Sequence, residues 1–175
     1  GMHSNNYYDG KAIINILLAV QSMKHIASLI VVLLLSFSSA SQGIEMSEYQ
    51  QEIMNRRVAE ARVLWNTMES EGFTPETVAA LDFVFFSNSE NEAKELIEQL
   101  SENYSLELTP ASEKNYILIQ GTTRPYGNEF TFEQWLSWVE FMVSVGFSHN
   151  AVFSTWSVYA PSSKTTWSSE SIEVQ

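Results

Sequence analysis

Apolar and polar positions alternate along this chain with two distinct periods. Ala61, Leu64, Trp65 and Met68 fall at i, i+3, i+4 and i+7. That stripe, in a stretch without Gly or Pro, predicts a helix over about Met46–Glu71. Gly72 and Pro75 then stop it. Leu81–Phe86 is a short aromatic run that suits a buried strand. Ser89 and Glu92 have capping-box spacing, and Ala93, Leu96, Ile97, Leu100 and Tyr104 follow at helical period. Ser105–Thr109 alternates up to Pro110, and Tyr116–Gln120 reads as the next strand. Gly121–Asn128 forms a loop with Arg124-Pro125-Tyr126-Gly127. Thr131 and Gln134 make a second capping box for a helix with Trp135, Leu136, Val139 and Met142 inward, closed by Gly146. Ala151–Tyr159 is the last predicted strand, stopped by Pro161. Ser162–Gln175 has no apolar period and reads as a flexible Ser/Thr-rich tail.

This order of elements predicts an α+β domain: a ferredoxin-like β-α-β-β-α-β sandwich with a four-stranded antiparallel sheet and an extra N-terminal helix. Such a sheet commonly leaves one face for something else.

One apolar run has neither period. Met23-Lys24-His25 precedes Ile26–Leu35, and Ser36–Ala40 offers small residues with an A-x-A-like site after Ala40. This is the layout of a secretory signal. Ten apolar residues are too few for a stable membrane span, which needs about 20. Gly1 before Met2 resembles a cloning scar, and residues 2–22 read as upstream of the true start. Residues 1–40 are therefore expected to lie outside the fold, with the domain at 41–161. The reading implies a periplasmic or secreted protein; without cleavage the chain would be cytoplasmic.

Charge narrows the partners. The chain carries 21 acidic and 9 basic residues, net −12. Loss of residues 1–40 removes Lys11, Lys24 and Asp9, which leaves the domain more acidic still. Such a surface repels a phosphate backbone, so nucleic acid is not an expected partner. The strands Leu81–Phe86 and Tyr116–Gln120 also lack the Lys and Arg that RNA-binding sheets place beside their aromatics. A protein partner with basic character fits better.

Catalytic chemistry finds few footholds. The chain has no Cys, and beyond residue 40 His149 is its single histidine. A thiolate nucleophile is excluded, and a histidine-based triad would rest on His149, which sits at a helix-to-strand turn. Zinc would need three or four His, Cys or carboxylate ligands, and with no Cys and one His beyond residue 40 its usual site cannot be built. Glu95, Glu98 and Glu102 lie at i, i+3 and i+7, opposite the Leu96/Leu100 stripe, and read as a solvated helix face. No glycine spacing matches a phosphate loop. No cofactor and no metal are expected, and the chain is read as a non-enzyme.

From about Glu48 to Pro161 the chain resembles the bacterial regulator of ribonuclease activity B family, inhibitors of ribonuclease E. The likeness rests on Glu69-Ser70-Glu71-Gly72-Phe73-Thr74-Pro75 after an acidic helix, on Phe83-Val84-Phe85-Phe86-Ser87 before the helix Glu90–Glu102, and on Phe153-Ser154-Thr155-Trp156-Ser157. In the last motif Ser154 stands at the family's acid, and Thr155 and Ser157 stand at its glycines. The resemblance implies a protein-binding regulator, with ribonuclease E as partner if the chain is cytoplasmic and another partner if it is exported. Arg124, Tyr126 and Trp156 are the candidate protein-interaction residues: two from the Pro/Gly loop, and one at the family's tryptophan.

Overall fold

The computed structural model describes residues 46–110 and 115–174. The expected leader, including the cleavage site after Ala40, lies outside them. The described elements are α1 (Glu48–Ser70), β1 (Ala80–Ser87), α2 (Glu90–Leu100), β2 (Ser105–Pro110), β3 (Ile117–Thr122), α3 (Phe132–Ser148), β4 (Ala151–Ala160) and β5 (Thr165–Ser168), followed by a 3-10 turn at Ser169–Ser171. Among the described residues the fold is α+β, with three helices and one antiparallel sheet in the order β2-β3-β1-β4-β5.

The sheet thus has five strands, not four, because the supposed flexible tail is part of it. Thr165–Ser168 pairs with the end of β4. Trp167 is buried and meets Phe73 edge to face at 5.8 Å. Its indole N–H donates to Glu71 Oε2 at 2.7 Å. A single aromatic anchor holds this segment where the sequence shows no period.

Each helix start follows from local chemistry. Ser47 and Gln50 form a reciprocal capping box for α1, and Thr131 and Gln134 do the same for α3. At α2 the expected box is half-made. Ser89 accepts from the Glu92 backbone N–H, whereas the Glu92 carboxylate takes the Asn150 side-chain amide instead. Gly72 has φ +97°, the left-handed stop expected after α1. Gly146 does not close α3, which continues to Ser148. A Cβ there would stand 2.9 Å from the Ala151 carbonyl oxygen and from the Phe85 ring, so glycine lets α3 approach the sheet. β3 likewise runs past Gln120, because Gly121 makes room for the Phe83 ring.

One sheet face is packed and the other is open. Leu81, Phe83, Phe85 and Ser87 of β1 are buried, and the residues between them are not, so β1 is half-buried rather than enclosed. Phe83, Phe85, Phe153 and Trp156 pack with Leu96 and Leu100 of α2 and Trp135 and Val139 of α3. The helix α1 joins the same layer: Trp65 packs on Phe73, Phe130 and Phe132, and Ala61 O accepts from the Trp135 indole.

A bulge marks the middle of β4, where Val84 pairs with Thr155 but Phe85 pairs with Phe153, leaving Ser154 extra. The Phe153 carbonyl accepts from Arg57 Nε at 2.9 Å. Arg57 is in turn held by Glu60, 4% exposed, at 2.6 Å. A buried ion pair of α1 therefore serves the irregular point of the sheet.

Candidate protein-interaction face

The antiparallel register arranges the open face in cross-strand rows, because alternate residues of each strand share one side. At one end Thr109, Leu118, Phe86 and Val152 stand in line across β2, β3, β1 and β4. Phe86 is 37% exposed and lies 5.9 Å from the Tyr116 ring. The next row is Glu107, Gln120, Val84 and Thr155. Beyond it come Ser105, Thr122, Asp82, Ser157 and Ser168. The character changes along the strands from apolar to amide and hydroxyl. The second and third rows line a concavity of about 420 Å³, and the Phe86 row lies beyond its lining.

Arg124 closes the polar end. Its Nε and Nη2 donate to the two Asp82 oxygens at 3.0 and 2.7 Å, and its guanidinium carbon lies 4.1 Å from the centre of the Tyr159 ring. The Thr122 hydroxyl ties the corner together by donating to Asp82 and accepting the Arg124 backbone N–H. The Asp82 hydrogen bonds, assisted by its charge, raise the Arg124 pKa above the ordinary arginine value. A forked, stacked arginine of this kind is held in one pose, and a lysine could not copy it.

The three candidate residues do not come together. Arg124 folds back onto the open face. Tyr126, in the same loop, is 76% exposed. Trp156 is a core residue: 2% exposed, stacked on Phe153 at 5.1 Å and edge-on to Trp135 at 6.3 Å. Its ring offers nothing to a partner, and its indole N–H is buried without an acceptor. Sequence reading missed Phe86, Glu107 and Glu170. Glu107 did carry a signal, since it sits between Leu106 and Leu108 and must face opposite to them. Glu170 lay in the segment read as tail.

His149 sits on the helix side of the domain. Its Nε2 is 2.6 Å from Gln99 Oε1 and its Nδ1 is 3.7 Å from Glu95 Oε2. Those contacts describe a surface-anchored turn histidine. Among the described residues no group of three or more His, Asp or Glu side chains is placed to hold a metal ion. Among them, too, no helix is long and apolar enough to cross a membrane.

The chain matches no known family model and no curated protein.

Proposed function

We propose that this chain is a non-catalytic protein-binding domain related to the ribonuclease E regulators, exported and acting on a partner outside the cytoplasm. One observation carries the reading: all three described helices cover one sheet face, while the other presents organised polar and apolar rows. A sheet that only needed to fold would gain by burying Phe86, Leu118 and Val152 as well. Within this proposal, β1-α2-β2-β3-α3-β4 is a ferredoxin-like unit, to which α1 and β5 are additions. The strand order β2-β3-β1-β4 supports that assignment. Kinship with the regulator family is supported by the three motifs quoted above, and export by the Met23–Ala40 segment.

The test has two parts, both on protein from its native host. N-terminal sequencing should find Ser41. Cross-linking in intact cells should trap the chain with another protein that is not ribonuclease E. A terminus before Ala40 together with capture of ribonuclease E would instead make it a cytoplasmic inhibitor of that enzyme. A chain recovered only uncross-linked would remove the protein-binding reading.

A further inference from the structure

Resting on the protein-binding reading, we infer that the open sheet face is a docking surface for a basic polypeptide segment that carries apolar side chains beside its Lys or Arg residues. Glu107 on β2 and Glu170 just after β5 stand at opposite sides of the concavity. Neither carboxylate has a partner among the described residues. Asp82, the third acid of the floor, is already neutralised by Arg124. Among the described residues Lys94 pairs with Glu90, Arg56 and Arg57 pair with Glu60, and no cation pairs with Glu107 or Glu170. The face therefore carries uncompensated negative charge, and its complement is cationic.

A small cation would have no use for the neighbouring apolar row. Phe86 lies two residues along β1 from Val84, whose row contains Glu107. That places exposed aromatic surface about 7 Å from the carboxylate row. An extended segment repeats its own side chains on one face at about the same spacing. A segment showing leucine-like and lysine-like residues alternately on that face meets both rows. The Gln120 amide in the Glu107 row and the Ser157 hydroxyl in the next row, free of partners among the described residues, are available to bond its main chain.

The probe is a fluorescein-labelled twelve-residue peptide, Leu-Ser-Lys-Ser repeated three times, titrated with the full chain at low salt and followed by anisotropy. Saturable binding is expected, and the same peptide with Glu in place of Lys should not bind. The double variant Glu107→Gln/Glu170→Gln should weaken binding about tenfold, and Phe86→Ala several-fold. Glu98→Gln/Glu102→Gln makes the same charge change on and just after α2 and should leave affinity within about twofold. All four substitutions to Gln are at exposed positions, and circular dichroism checks that each variant is folded. Equal loss in both double variants would overturn the inference, because attraction by net charge alone would explain it. So would full affinity in Phe86→Ala, or no saturable binding by the unaltered chain. If the peptide fails while cross-linking still traps a partner, this face is wrong and the protein-binding reading stands.

Discussion

Truncation of Trp167 is the sharpest test of the fold, because it asks whether the C-terminal segment belongs to the core. The side chain is 7% exposed, contacts Phe73 edge to face and donates to Glu71. Trp167→Ala removes a buried aromatic and leaves a cavity, a change that costs about 3–5 kcal/mol. It also loosens β5, whose four residues have no other large apolar anchor. In a domain of this size roughly 4 °C of melting temperature corresponds to each kcal/mol, so a fall of about 12–20 °C is expected. Trp167→Phe separates packing from hydrogen bonding. The ring stays against Phe73, and the exposed Glu71 carboxylate regains water, so the loss should be only about 1 kcal/mol. Urea unfolding followed by circular dichroism gives both values, with unchanged slopes as evidence that the unfolded ensemble is the same. A Trp167→Ala loss below about 0.5 kcal/mol would mean that the segment is detached in solution. The five-stranded sheet would then be wrong.

Three further outcomes are expected. Glu60→Ala strands Arg57 beside the β4 bulge and should cost about 3 kcal/mol in the same assay, whereas Arg57→Met/Glu60→Leu should cost less than the single change. Gly121→Ala would put a Cβ 2.2 Å from Phe83 Cζ, and should destabilise by about 3 kcal/mol even though the strand conformation suits alanine. Burial raises the Tyr104 pKa above the usual phenol value, and the hydrogen bond from the Trp138 indole only partly opposes this. Tyr104 therefore costs no stability below about pH 10. Above that the unfolded chain ionises first, so stability falls as pH climbs toward the folded value. Tyr104→Phe should flatten that alkaline slope in unfolding experiments run from pH 8 to 11.

Element types and order were legible because they are written in local periodicity: Leu96 and Leu100 on one stripe, Trp135 and Val139 on another. Where a residue's role depends on a distant partner, local reading failed. Gly121 looked like a loop glycine because the ring it accommodates, Phe83, is far away in sequence. β5 has one apolar residue in four, too few for any pattern, and its anchor lies on Phe73 and Glu71. Arg124 stood out by its Pro/Gly loop, but nothing nearby announced Asp82. Trp156 has a side chain equally suited to a core or an interface, and only the packing on Phe153 decides between them.

The central place of β1 has a cost during synthesis. It is the first of the described strands to be made, yet its neighbours β3 and β4 come much later in the chain, the second of them ending 73 residues after Ser87. At roughly 5–20 residues per second the ribosome needs about 4–15 s to deliver it. For that interval Phe83, Phe85 and Phe86 form an aromatic segment with two unsatisfied edges, a template for association with other nascent chains. The acidic helix α2, emerging next with Glu90, Glu92, Glu95 and Glu98, places like charges beside each such segment. Mutual repulsion between nascent chains is thus built in next to the strand that most needs it.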